Sequence, residues 1–280
     1  MKKQYVIGIN IIGDAASTAS QIPMLKDIGF GAFFTEWQPE YTSEWVKTAE
    51  KYGLIYQSIH SPFYGNCNVS QLWRGGEEGR LVTNRLIECI RDCATHNIPV
   101  MVIHPYIGFR DHTPTEVGLD NYARLIDVAN DLGVKLGFEN VEGEEYLAAI
   151  MERFWDAPSC GFCYDTGHEQ CYNGGKDMMA LYGEKLCHTH FNDNLGIILP
   201  PEASIDDTWQ NDLHLTMGDG IVDWKSVMSR IRASNYDGPL NCELTRNNKP
   251  NRNDHDKYAE MTLEEFYKFA FERMCMVTDL

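Results

Sequence analysis

The sequence predicts a single (β/α)8 TIM barrel over residues 1–280, and three features carry that prediction. Short apolar runs rich in strand formers alternate with amphipathic stretches along the whole chain, as a parallel barrel wrapped in helices requires. Six of those runs end at or beside a metal-capable side chain: His60, His104, Glu139, Asp165, His190 and Glu243. No linker or low-complexity segment divides the 280 residues, a length that one barrel fills.

Taken in order, residues 5–12 read as the first strand and 19–28 as a helix closed by Gly29. Strand 31–37 carries Glu36 near its end, and helix 43–52 stops at Gly53. The third strand, 54–59, delivers His60. A polar loop then runs to Gly79, placed to wall the barrel mouth, before helix 80–96. Strand 99–103 delivers His104, and helix 115–132 ends at Gly133. Strand 135–138 delivers Glu139 and is followed by helix 144–154.

Within 160–168 a buried strand carries Asp165 at its tip, with a Thr-Gly turn and His168 behind it, then helix 176–182. Strand 186–191 holds His188 and His190, whose alternation points both the same way. A long loop with Asp212 and His214 precedes helix 224–234, capped by Asp223. Strand 239–242 delivers Glu243, tract 247–256 reads as an exposed loop, and helix 258–276 closes the chain.

Composition narrows the partners. The 41 acidic and 24 basic residues give a formal charge of −17, which opposes nucleic acid, since that binding neutralises phosphates with Lys and Arg. The Met1-Lys2-Lys3 start leads into no long apolar stretch, so neither signal peptide nor membrane span is expected and a cytoplasmic location is. Nine scattered cysteines do not frame a disulfide scaffold. Cys160 and Cys163 form a C-x-x-C, but within a strand such a pair faces opposite sides, which suits core packing.

Glu139, Asp165, His190 and Glu243 end the last four strands, which are neighbours around the barrel wall, and they make the most economical metal site. Three carboxylates and one imidazole suit a hard divalent ion, Mn2+ or Mg2+ before Zn2+. One such ion is expected. His60, His104, His168, Asp212 and His214 sit at strand ends or in loops of the same face and are expected to line the pocket and bind substrate. His96, His112 and His255 read as surface residues. Trp37, Phe63, Trp73, Phe109 and Trp209 lie near strand ends or in their loops, where a ring can stack on a sugar face.

The motifs Ser58-Ile-His60-Ser-Pro, Val102-Ile-His104-Pro, Phe138-Glu139-Asn140, Tyr164-Asp165-Thr-Gly-His168, His190-Phe-Asn-Asp193 and Cys242-Glu243 cover essentially the whole chain. In this order the chain resembles the xylose isomerase-like TIM barrel superfamily. That group includes sugar and sugar-phosphate isomerases and epimerases, inosose dehydratase, and AP endonuclease family 2. The resemblance implies a metal-dependent isomerase or epimerase of a carbohydrate, working through an enediolate. Glu139 and Glu243 are then both metal ligands and the acid–base pair, and His168 binds substrate. An inosose-type dehydratase is one alternative that the resemblance leaves. Another is an endonuclease IV-like phosphodiesterase, in which His60, His104, His168, Asp212 and His214 become further metal ligands.

Overall fold

The computed structural model describes residues 4–110, 112–199 and 202–280; the Met1-Lys2-Lys3 start lies outside them. Its eight parallel strands are β1 (Ile7–Asn10), β2 (Ala32–Glu36), β3 (Ile55–His60), β4 (Val100–Ile103), β5 (Lys135–Glu139), β6 (Cys160–Asp165), β7 (Leu186–His190) and β8 (Leu240–Cys242). Each strand pairs with its sequence neighbour, and β8 returns to β1. The remaining seam, β7 to β8, closes just beyond the ladder. There Phe191 N–H donates to Asn241 O at 2.8 Å, Glu243 N–H donates to Phe191 O at 3.1 Å, and the Thr189 hydroxyl takes the Asn241 N–H at 2.9 Å. A side-chain oxygen thus replaces one ladder carbonyl, and the (β/α)8 barrel is nearly closed.

The site follows from the period-2 alternation of the strands. In β4, Met101 and Ile103 pack outward into the core beneath the helices, while Val100 and Val102 face the barrel axis with Cys163 and Cys187. In β5, Leu136 and Phe138 join the outer core, which turns Gly137 and Glu139 inward. In β6, Cys160 and Phe162 lie outside and Cys163 inside, so the C-x-x-C pair straddles the sheet as its strand placement requires. Carried one step further in each strand, the same alternation brings Glu139, Asp165, His190 and Glu243 to the mouth. His188 lies one layer below, with Nε2 3.2 Å from the Ser58 hydroxyl and its ring edge-on to Phe34.

Ten helices cover the outside of the described residues: α1 (Ala15–Ile28), α2 (Thr42–Tyr52), α3 (Gly76–Thr95), α4 (Glu116–Leu132), α5 (Glu144–Phe154), α6 (Thr166–Cys171), α7 (Met178–Tyr182), α8 (Trp224–Ala233), α9 (Asp256–Ala259) and α10 (Leu263–Thr278). At three of their departures from the sequence expectation a cap is the reason. Asp14 accepts from Ser17 N–H at 2.8 Å and starts α1 one turn early. The expected Thr-Gly turn after Asp165 is instead the first turn of α6, because the Asp165 carboxylate caps it through His168 N–H at 2.7 Å. The expected final helix divides in two: Thr262 and Glu265 form a capping box that begins α10 after the short α9. Helix α3 begins at Gly76, earlier than expected, with Glu77 and Glu78 in its first turn. No helix among the described residues is long and apolar enough to cross a membrane.

The loop from β3 to α3 contains two short 3-10 turns and is pinned as a wall of the mouth. Trp73 donates its indole N–H to Pro105 O at 2.8 Å, and Thr115 and Asn121 bond the carbonyls of Trp73 and Leu72. Gly118 in α4 makes room for that indole, since a Cβ there would lie 2.0 Å from Trp73 Cε3. Gly118→Ala is therefore expected to destabilise the protein by about 1–3 kcal/mol through overpacking. Urea denaturation reads this, and an unchanged midpoint would show that Trp73 is not clamped.

Candidate metal centre

Glu139 is the centre of the mouth. It is fully buried, and its two oxygens face four imidazoles. Oε1 lies 3.0 Å from His190 Nδ1 and 3.3 Å from His168 Nδ1; Oε2 lies 3.3 Å from His104 Nε2 and 3.5 Å from His60 Nε2. His190 Nδ1 also stands 3.2 Å from Glu243 Oε2, so one ring nitrogen sits between the glutamates of β5 and β8. Asp165 completes the group, and the ligand atoms of Glu139, Asp165, His190 and Glu243 all lie within 4.8 Å of one another.

Two asparagines fix Asp165. Asn140 exchanges hydrogen bonds of 2.8 Å with both the N–H and the C=O of Asp165, and Asn192 donates to its Oδ2 at 2.7 Å. Gly167 is required by this arrangement, because a Cβ there would lie 1.8 Å from Asn192 Oδ1. Asp193, beside it, does different work. Its carboxylate accepts the N–H groups of Gly218, Val222 and the Trp224 indole, folding the long loop back toward the barrel.

That loop brings Asp212 and His214 to the mouth. Asp212 Oδ1 lies 2.9 Å from His214 Nε2 and 3.3 Å from His168 Nε2, and His214 Nδ1 lies 3.4 Å from Glu243 Oε2. His214 has a left-handed backbone with φ 49, a conformation that costs a non-glycine residue and persists only where its surroundings impose it. Part of that imposition comes from His255, which bonds Leu213 O at 2.7 Å. His255 is fully buried, contrary to its surface reading; the polar 247–256 tract folds over the site and encloses it. His96 and His112 are half-buried, each bonded to a main-chain carbonyl four residues earlier.

All nine expected site residues thus share one end of the barrel. They fall into three groups of mutually close ligand atoms: the quartet above, His60 with His104 and Glu139, and His168 with Asp212 and His214. Cys163 also approaches Glu139 and His190 from below. The cavity over them holds about 740 Å3. Phe63, Phe109 and Trp209 line it, whereas Trp37 and Trp73 do not: Trp37 bonds Asp92, and Trp73 packs on Tyr122 and Tyr146. Glu36, Glu142, Tyr172 and Lys249 also line the cavity, and the sequence reading gave none of them a role. A strand-end position was a usable signal for Glu36 alone.

The charges at the mouth do not balance without proton uptake or a cation. Burial would raise the Glu139 pKa, but His190, His104 and His168 outweigh it and hold the carboxyl well below its usual range. For Glu243 burial is likewise outweighed, by His190 and His214, and the pKa falls to about 2. Burial drives Asp165 up to about 6, against the pull of His168. For His60 burial is overcome by Glu36 and Glu139, and for His214 by Asp212 and Glu243; both rise to about 9. Glu139 Oε2 and His190 Nε2 are buried without a hydrogen-bond partner. Two buried carboxylates, a third on the cavity wall, these two orphaned atoms and no Lys or Arg in the quartet fit a hard divalent cation, which would replace imidazolium as the counter-charge.

Residues 22–264 match the xylose isomerase-like TIM barrel family, and the chain belongs to it. An uncharacterized protein of Sinorhizobium fredii is 32% identical over 123 residues, covering 43% of this chain but only 34% of that protein. An inosose dehydratase of Lactiplantibacillus plantarum is 25% identical over 146 residues, 48% of this chain and 47% of the relative. In these two matches the chain therefore aligns with less than half of the relative's length. Among solved structures, a D-allulose 3-epimerase from Methylomonas sp. superposes with a TM-score of 0.70 at 14% identity, covering 100% of this chain and 99% of that one, which shows the shared fold.

Without a cation the imidazolium–carboxylate contacts make a pH prediction. The folded pKa values of His60 and His214, about 9, lie above the ordinary value of 6.5. Their stabilisation is fully present below about pH 6.5 and is lost as pH rises through about 9. Chelator-treated protein should therefore lose about 5 °C or more of melting temperature between these limits. A flat profile would show that these rings are not protonated in the folded metal-free chain.

Proposed function

We propose that this protein is a metal-dependent isomerase or epimerase of a sugar or sugar phosphate, with Glu139, Asp165, His190 and Glu243 holding one divalent cation, Mn2+ or Mg2+. The observation that carries this reading is the quartet itself: two buried carboxylates, a third on the cavity wall and one buried imidazole converging at the mouth of the barrel. Family membership and the fold shared with a D-allulose 3-epimerase support the substrate class. The chemistry such a cation supplies is Lewis-acid polarisation of a ketose carbonyl, which acidifies the C–H beside it.

The residues divide the remaining work. Glu243 lines the cavity and is ionised over the whole neutral range, so it takes the substrate proton. Glu139, on the other side of His190, returns a proton that it draws from the imidazolium of His168, whose Nδ1 lies 3.3 Å from its Oε1, to the opposite face for epimerisation or to the neighbouring carbon for isomerisation; Glu243 releases the abstracted proton to solvent through the cavity. It lies beneath the imidazoles, so it also anchors the cation more strongly than Glu243 does. His60, His104, His168, Asp212 and His214 bind and orient the substrate's hydroxyl groups. Asn140 and Asn192 keep Asp165 directed at the quartet.

Two further readings each have an observation in their favour. The inosose dehydratase similarity supports loss of water after the same proton abstraction, distinguished by a product lighter by one water. The two flanking triads support extra ions and a phosphodiesterase of the endonuclease IV type. The charge of −17 weighs against that one, and cleavage of an abasic duplex would favour it.

On whichever ketose the wild type labels fastest in D2O, Glu243→Gln should slow solvent-deuterium incorporation by about 10²- to 10⁴-fold. The circular dichroism spectrum should be unchanged. Glu139→Gln should lose comparable rate and, unlike Glu243→Gln, most of its bound metal. Near-normal exchange in both variants would end the two-glutamate scheme.

A further inference from the structure

The cavity is larger than the chemistry at its floor needs. Its volume of about 740 Å3 falls in the range that encloses ligands well beyond a single hexose. Above the strand tips its wall becomes aromatic. Phe109 and Tyr172 lie with ring centroids 5.7 Å apart, and Trp209 stands on the following loop. Arg110 binds Asp206 through bonds of 2.8 to 3.0 Å and ties the Phe109 loop to the Trp209 loop at the rim.

Into this aromatic zone the loop after β5 places Glu142. Its side chain lines the cavity, and the residue is only 7% exposed. Oε1 accepts the Gly108 N–H at 2.9 Å, and the carboxyl's other main-chain donor is its own N–H. No ion pair joins it to a Lys, Arg or His among the described residues. Burial pushes its pKa up to about 7. A buried carboxyl without a counterion costs folding free energy, and neither the quartet nor the triads contain it. The outer end of the cavity offers an anionic ligand little. The four lining histidines belong to the floor, no Arg lines the cavity, Glu142 stands in the aromatic zone, and Lys249 is held 3.9 Å from Asp212 and over the Trp209 ring. Phosphate recognition calls for several Arg, Lys or N–H donors.

We propose that Glu142, Phe109 and Tyr172 form an outer subsite for an uncharged sugar ring that is not itself transformed, joined by a glycosidic bond to the part that reacts. The ring's apolar face packs on the aromatics, and one of its hydroxyls donates to the Glu142 carboxyl. The inference rests on the carbohydrate reading of the floor, but it is tested without turnover.

Calorimetry with cellobiose, glucose and glucose 6-phosphate measures it directly. Wild type should bind cellobiose at least about tenfold more tightly than glucose. Glu142→Leu and Phe109→Ala should each weaken cellobiose binding about tenfold, the loss of one such contact. Glu142→Gln, which keeps the acceptor and the fit to Gly108, should stay within about threefold of wild type. Four results overturn the subsite: no cellobiose binding by wild type, equal affinity for cellobiose and glucose, tighter binding of glucose 6-phosphate, or wild-type affinity in folded Glu142→Leu. Failure of deuterium exchange with cellobiose binding intact would instead strike only the proton-transfer scheme.

Discussion

The structure is organised by the cost of keeping the Glu139 carboxylate away from water. A buried carboxylate is tolerable only beside positive charge or full hydrogen bonding, and here four imidazoles from β3, β7, the end of β4 and the start of α6 supply the contacts. Each has to come from a different segment, because one strand presents only alternate residues to the mouth. The parallel barrel satisfies this by converging its strand tips on one point. The asparagines around Asp165, the left-handed His214 and the buried His255 each fix the direction of one member of that cluster.

The same convergence separates stability from chemistry along each strand. Residues below the mouth, such as Val100, Val102, Cys163 and Cys187, fill the barrel axis as ordinary packing. His188 shares the face of His190 but lies a layer deeper, against Ser58 and Phe34, where burial drives its pKa well down and keeps it neutral. Two residues along a strand are enough to turn a histidine from part of the floor into a supporting side chain.

Much of this was legible in the sequence for a physical reason. Strand tips announce themselves when an apolar run stops at His, Asp or Glu, and the alternation within the run gives the side on which the residue emerges. The barrel, the quartet and the flanking histidines all followed from that grammar. What the sequence left hidden depends on tertiary enclosure. His255 stands in a tract of Asn, Asp, Lys and Arg, and nothing local shows that the tract folds over Leu213. Glu142 and Lys249 sit in loops, where no periodicity assigns direction, and only the closed mouth brings them to one cavity. The short α6 takes the place of the expected Thr-Gly turn, because Asp165 acts as both strand tip and helix cap.

On the proposed reading, the ends of β5, β6, β7 and β8 enclose one hard divalent cation. Anomalous diffraction from crystals grown with Mn2+ tests it most directly. A single strong peak bound by Glu139, Asp165, His190 and Glu243 is expected. A crystal with no peak there, or with manganese held only by His168, Asp212 and His214, would contradict it.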